Sequence, residues 1–257
     1  MRWIALTRTP GQSYRRAISS TSAPIDPDEA RRQHQGYCRA LQNIGLEVVT
    51  LPADERYPDG CFVEDAVVVR NGRALLTRSG APSRQGEGET LRHVLETYGL
   101  QIAQVEAPGT LDGGDVLWIE GVAYVGLGDR TNREGIAQLA DRLGVEAHAV
   151  PLPRGMLHLK SGAAYLGNGR LYAVAAFAPL AAQIGLEWVP VPQGEEPTAD
   201  VFVHGAKAII PDGYPKAATL LKELGFQVQP VELSEFAKAD GGPTCLSVIW
   251  PDVRLGA

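Results

Sequence analysis

The chain has 257 residues, 44% of them apolar and 21% charged, with a net charge of −6, the make-up of a globular protein able to bury a sizeable core. The acidic balance argues against the basic surface that nucleic acid needs, and the sequence offers no run of roughly 18 apolar residues to span a membrane. The N-terminal apolar run is short and interrupted by Arg8, unlike a signal peptide, and the three cysteines (Cys38, Cys61, Cys245) are too sparse for a disulfide framework, so a reducing, cytoplasmic setting is expected.

Taken in chain order, the predicted elements repeat. WIALTR at 3–8 reads as a strand and residues 27–44 as a helix. The helix runs into RALQNIGLEVVTLP, where Gly45 separates helix from strand. FVEDAVVVR and RALLTR follow as two strands joined at Asn71-Gly72, a hairpin-turn pair. HVLETYGLQIAQVEAP repeats the helix–glycine–strand pattern at Gly99, and DVLWIEG and VAYVGL repeat the strand pair. QLADRLGVEAHAVPLP gives the third copy at Gly144, and a second hairpin turn is expected at Asn168-Gly169. LAAQIGLEWVPVP and LLKELGFQVQPVEL give the fourth and fifth, at Gly185 and Gly225.

Each part has a physical cause. Ile136, Leu139 and Leu143 show the three- and four-residue spacing of a helix with one apolar face. A glycine after the last turn adopts the left-handed conformation that satisfies the helix's free carbonyls. The residues after it alternate as in a half-buried strand (Leu46, Val48, Thr50). The fifth copy stops after CLSVIW, and its missing strand and helix lie at the N-terminus. The expectation is therefore a single α/β domain over 1–257: a closed ring of five strand-strand-helix-strand modules, the last completed by both termini.

The repeat also aligns reactive groups. Asp59, Asp112, His158, Asp200 and Asp240 each lie 13–15 residues after the glycine of their copy, and Asp65 and Cys245 both lie 20 after theirs. In a closed ring, equivalent positions converge on the axis, which would gather carboxylates, one histidine and one cysteine. A cysteine with a histidine permits nucleophilic catalysis. Cys245 follows the glycine-rich turn Asp240-Gly241-Gly242-Pro243-Thr244 and is expected to open a strand there. Cys38 reads as a buried helix residue, and Cys61, ahead of a strand, is ambiguous. His34, His93, His148 and His204 read as structural or surface residues. No Cys/His spacing of the zinc type is present, so neither metal nor cofactor is expected.

Carboxylates around a thiolate would repel it and raise its pKa unless the substrate is a cation. Asp65 and Asp112 could grip a planar guanidinium through charge-assisted hydrogen bonds. Arg84, after a strand, and Arg130, near a helix start, suit the α-carboxylate of an amino acid.

At this point the chain resembles the dimethylarginine dimethylaminohydrolases of the guanidine-modifying (pentein) superfamily. The resemblance rests on RQHQGY at 32–37, LPADERYPDGCFVEDAVVV at 51–69, GAPSR at 80–84, TLDGGDVLW at 110–118, VGLGDRTNREG at 125–135, LHLKSG at 157–162 and ADGGPTCLS at 239–247. It implies a five-bladed α/β propeller with the active site at its centre, and a Cys245–His158–Asp112 catalytic group, with Asp65 on the guanidinium and Glu64 and Asp240 in the surrounding polar network. It further implies Asp59 on the substrate's α-amino group, Arg84 and Arg130 on its α-carboxylate, and an N-terminal lid over 8–20 in which Ile18 meets the substrate through its backbone. Asp112 stands where some members of the family carry Glu.

The implied reaction is hydrolysis of asymmetric dimethylarginine or monomethylarginine to citrulline and a methylamine. The implied partner is this small guanidino amino acid; a homodimer is an assembly the sequence leaves open. The rival readings are an arginine deiminase or amidinotransferase of the same superfamily, an agmatine deiminase, and a non-catalytic propeller that binds RNA or protein. Glu64 speaks against the deiminases of arginine, the two arginines against agmatine, and the Cys–His–Asp set with the acidic balance against the last.

Overall fold

The computed structural model describes residues 2–252 and 254. The chain enters at β1 (Trp3–Arg8), crosses through the helix Pro27–Asn43 and returns as β2 (Glu47–Leu51), parallel to β1. The same path then repeats four times. A hairpin of two antiparallel strands is followed by a helix and a third strand parallel to the second. β3 (Val67–Arg70), β4 (Arg73–Leu76) and β5 (Gln101–Gln104) form one sheet, and β6 (Val116–Ile119), β7 (Val122–Leu127) and β8 (Ala147–Pro151) the next. β9 (Ala163–Gly167), β10 (Arg170–Ala173) and β11 (Glu187–Pro190) follow, then β12 (Phe202–His204), β13 (Lys207–Pro211) and β14 (Gln227–Val231). Finally β15 (Val248–Pro251) pairs antiparallel with β1, so the first blade is completed by both ends of the described chain. This is the expected five-bladed α/β propeller.

The punctuation expected of the repeat is also present. Gly45, Gly99, Gly144, Gly185 and Gly225 all have φ between +64° and +98°, the left-handed region that ends a helix. Asn71-Gly72 and Asn168-Gly169 have φ of 51°/75° and 51°/70°, the double left-handed pair of a tight hairpin.

The middle strand of each blade is buried on both faces. Ile4 and Leu6 pack into one apolar cluster and Ala5 into another. Leu171 and Ala173 face one neighbour and Tyr172 the other. Five clusters result, each lying between consecutive blades and roofed by a module helix. Alternate side chains of one strand thus serve two cores. At roughly 25 cal/mol per Å² of apolar surface, these interfaces supply the main stabilisation, and the hub is left to polar groups.

Two segments differ from the sequence expectation. Val63–Ala66 is one helical turn before β3, not part of the strand. Cys245 lies in a 3-10 turn, Thr244–Leu246, and the strand opens only at Val248. Short turns occupy the same place before β6, β9 and β12 (Gly113–Asp115, Leu159–Ser161, Glu196–Ala199). They bend the chain from the axis into the blade. In a strand Glu64 and Asp65 would point to opposite faces; the turn lets both reach the hub.

Candidate active site

The inner turns bring Asp65, Asp112, His158, Asp200 and Cys245 together, one from each of the five blades. His158 Nε2 lies 3.1 Å from Asp112 Oδ2, and His158 Nδ1 lies 3.9 Å from Asp65 Oδ1. The backbone N–H of Gly114 donates to Asp65 Oδ1 at 2.9 Å. A Cβ on Gly114 would stand 2.6 Å from that oxygen and 2.8 Å from His158 Nδ1. Glycine is therefore what allows histidine and carboxylate to close on the LDGGD turn.

Charge is tightly organised. Burial disfavours the imidazolium, but Asp65, the hydrogen bond to Asp112 and the nearby Asp115 outweigh it and push His158 up to about 9. Burial opposes ionisation of Asp65 as well, yet His158 and Arg84 hold it well below the usual carboxylate range. Burial raises Glu64 to about 7 against the pull of Lys160, whose Nζ donates to Glu64 Oε1 at 2.6 Å. Thr244 Oγ1 donates to Glu64 Oε2 at 2.9 Å, which ties Glu64 to the cysteine turn. Cys245 is partly exposed; burial first, then Asp200, Glu64 and Asp65, raise its thiol well above its ordinary value.

The remaining expected residues fall around this group. Ile18 N–H donates to Asp59 Oδ1 at 3.0 Å, so the lid backbone covers the carboxylate expected to meet the α-amino group. The Asp240 carboxylate is exposed and accepts from Ser20 N at 2.8 Å and from Ser20 Oγ at 2.5 Å. It fastens the lid. Arg130 Nη1 donates to Asp112 Oδ2 at 3.3 Å. Arg84 is more committed than the sequence suggests. It is buried, donates through Nη1 to Asp65 Oδ2 at 2.7 Å, and forks onto Glu87 at 2.8–3.2 Å. As placed, it is a partner of two carboxylates.

Beside the site opens a cavity of about 980 Å³, walled among others by Ser20, Arg130, Asp200, Asp240 and Gly242. Asp112 Oδ1 is fully buried and has no hydrogen-bond partner among the described residues. Asp65, Asp112 and His158 bring ligand atoms within 4.8 Å of one another and could hold a metal ion. A metal ion would need a lone pair of His158, however, and the same carboxylates hold that ring as an imidazolium, which has none to give.

Sequence reasoning assigned no role to Glu87, Asp115, Lys160 or Thr244. Asp115 accepts from Thr131 Oγ1 at 2.6 Å and from Leu159 N–H at 3.0 Å, and so joins the turns that carry Asp112 and His158. The available signals were the Arg84/Glu87 spacing of three and the place of Lys160 two residues after His158. Cys61, ambiguous in the sequence, is buried, and burial raises its thiol far above the ordinary range. His34 is buried and lowered to about 4 by burial, while His93 and His148 are exposed.

Five blades of this topology around a Cys–His–carboxylate hub define the guanidine-modifying, or pentein, class. Comparison narrows it. The model of the family described as N,N dimethylarginine dimethylhydrolase, eukaryotic, matches residues 7–168. The dimethylarginine dimethylaminohydrolase of Pseudomonas aeruginosa is 35% identical over 248 residues, 95% of this chain and 97% of that one. The Streptomyces coelicolor enzyme of the same name is 39% identical over 229 residues, 87% of each chain. A solved structure of the Pseudomonas enzyme, a cysteine-to-serine mutant complexed with citrulline, superposes with a TM-score of 0.93 at 34% identity over 97% of this chain and all of that one. The N-terminal domain of a cyanobacterial arginine dihydrolase, 18% identical with a TM-score of 0.88, shares the fold. The chain belongs to the dimethylarginine dimethylaminohydrolase family.

Proposed function

We propose that this protein hydrolyses Nω-methylated L-arginine to L-citrulline and a methylamine, with Cys245 as nucleophile. The observation that carries the reading is the charge pattern of the hub. A thiol faces three carboxylates, and Asp112 Oδ1 is buried without a donor among the described residues. A planar guanidinium supplies both the missing positive charge and the missing N–H groups. The names of the relatives support the reading, as does the citrulline held by the Pseudomonas mutant.

In the reaction, Asp65 and Asp112 hold the guanidinium, and its charge favours the Cys245 thiolate, which attacks the central carbon. His158, already an imidazolium, gives its proton to the departing amine nitrogen, and a thiouronium remains on Cys245. His158, now neutral, takes a proton from water, whose oxygen adds to the same carbon. Collapse then breaks the C–S bond and frees citrulline. Arg130, on the cavity wall, takes the α-carboxylate in this reading, and Arg84 joins it by exchanging one of its carboxylate partners for the ligand. Asp59 binds the α-amino group when Ile18 N–H lets go of it. Glu64 and Asp240 keep the cysteine turn and the lid in place. No step requires a metal. The three free thiols suit a reducing compartment such as the cytoplasm.

A citrulline assay run side by side on arginine, monomethylarginine and asymmetric dimethylarginine, in a chelating buffer, tests the assignment. Turnover of the methylated substrates and its loss in Cys245→Ser are expected. Equal or faster turnover of plain arginine refutes the substrate assignment.

A further inference from the structure

The mechanism above leaves open where the thiol proton goes. Among the described residues, the hydrogen-bond partner of Cys245 Sγ is Asp200 Oδ2, at 3.4 Å. The other oxygen, Asp200 Oδ1, accepts from Thr244 N–H at 2.9 Å, so one carboxylate grips both the thiol and the turn that presents it. Asp200 is buried, lines the cavity and forms no ion pair among the described residues. Gly242 clears its approach: a Cβ there would stand 2.4 Å from Asp200 Oδ2. His158 is bound to Asp112 and near Asp65, and as an imidazolium it has no lone pair for a proton.

We propose that Asp200 is a further catalytic residue, the base that accepts the Cys245 proton as substrate binds and returns it when citrulline leaves. The proposal rests on Cys245 being the nucleophile. Burial raises the affinity of Asp200 for a proton, against the hydrogen bonds from Thr244 and Cys245 and the charge of Lys160. Glu64, Asp65 and Lys160 also face this corner, but Glu64 is engaged by Lys160 and Thr244, and Asp65 by Arg84 and Gly114.

The protons balance. The S–H bond breaks, its proton moves to Asp200 Oδ2, and the sulfur pair forms the S–C bond. The C–N bond breaks toward nitrogen, which takes the His158 proton. Water returns a proton to His158 as its oxygen adds to carbon. The C–S pair then reverts to sulfur, Asp200 gives its proton back, and the carbonyl of citrulline forms with release of one proton to solvent. The free methylamine takes up that proton. The division assigns thiol activation to Asp200 and amine protonation to His158.

The test compares Asp200→Asn and Asp200→Glu with wild type in two measurements. The first is steady-state citrulline production. The second is alkylation of Cys245 by iodoacetamide without substrate, followed by mass spectrometry at that residue across pH 6–10. Asn has no place for the proton, so kcat is expected to fall about 100-fold with little change in KM. Asn also removes the carboxylate that helps keep the resting thiol protonated, so alkylation at a given pH is expected to speed up and its pH profile to move down. Asp200→Glu restores turnover at least in part. Turnover of Asp200→Asn within threefold of wild type overturns the proposal. So does alkylation that is unchanged or slower, which leaves Asp200 a structural post only. A Cys245→Ser control separates the two levels: an active serine variant sinks the nucleophile assignment itself, whereas a dead one beside an active Asp200→Asn sinks only the role of Asp200.

Discussion

Replacing Gly114 by alanine perturbs the site through a single added methyl group. Gly114 lies outside the left-handed region, in a 3-10 turn that accepts alanine, so the backbone is not the obstacle. The obstacle is side-chain room. The added Cβ would lie 2.6 Å from Asp65 Oδ1 and 2.8 Å from His158 Nδ1, where ordinary contact starts at 3.4 Å. The carboxylate must therefore retreat by roughly 0.8 Å and the imidazole by roughly 0.6 Å in a close-packed hub. The Gly114 N–H bond to Asp65, now 2.9 Å, lengthens with that retreat. Overpacking of this kind costs about 1–3 kcal/mol, well inside a typical stability of about 5–15 kcal/mol, so the variant still folds. Misplacing a general acid by close to 1 Å costs on the order of 100-fold in rate. A kcat near 1% of wild type is expected in the citrulline assay, with a urea midpoint only modestly reduced. A normal kcat, whatever the stability, refutes the reasoning, because the proton donor would then not be the ring packed against Gly114.

Four other perturbations bear on different parts of the molecule. Arg84→Met leaves Glu87 buried without its cation and Asp65 with His158 alone, and is expected to cost about 3–5 kcal/mol in urea unfolding, with Arg84→Lys intermediate; a loss below about 1 kcal/mol, as for a surface pair, contradicts the buried pairing. His158 has a folded pKa of about 9 against 6.5 for the free side chain. It binds the extra proton in the native state, so its contribution is complete below pH 6.5 and disappears as pH rises through 9. The wild type should lose up to about 3 kcal/mol relative to His158→Gln over that window, read from urea midpoints at pH 6 and 9.5. Asp240→Ala removes the acceptor of both Ser20 donors and should raise KM several-fold and speed tryptic cleavage at Arg15 and Arg16 in the lid; unchanged proteolysis argues that other contacts hold it. Lys160→Met leaves buried Glu64 without its cation, so Glu64 is expected to stay protonated at neutral pH, with a shifted pH profile of kcat/KM as the readout.

The fold was legible because its code is local and repeated. A helix with one apolar face, a glycine with positive φ and a short strand recur in the sequence. Each is set by neighbours within a few residues, as Gly45 and Gly225 show. The convergence of Asp112, His158 and Asp200, and of Asp65 with Cys245, was legible from matched offsets, since a closed ring converts equal spacing into equal radius. What escaped were features decided by the hub as a whole. FVED resembles a strand by composition, yet a single helical turn lets Glu64 meet Lys160 and Thr244 while Asp65 meets Arg84. Arg84 reads as an arginine after a strand suited to a substrate carboxylate, and only tertiary packing reveals that it is buried between two carboxylates of the protein. The contact of Asp200 with Cys245 joins residues 45 apart in different blades, and no local pattern encodes it.

The arrangement also explains how one hub can hold so many charges without unfolding the protein. The apolar cores lie between the blades, and the charged groups at the axis belong to none of them. A buried pair such as Arg84–Asp65 contributes little net stability on its own, because desolvation offsets the attraction. The cores therefore have to supply that stability, which frees the axis to be set by chemistry. Within the axis the charges fall into two sets. Arg84, Arg130 and His158 surround Asp65 and Asp112, while Lys160 is the cation paired with Glu64 on the thiol side. Asp200 remains without an ion-pair partner among the described residues, directly against the sulfur. A cation entering between the two sets offsets the charge of this unpaired carboxylate, beside which the thiol must ionise.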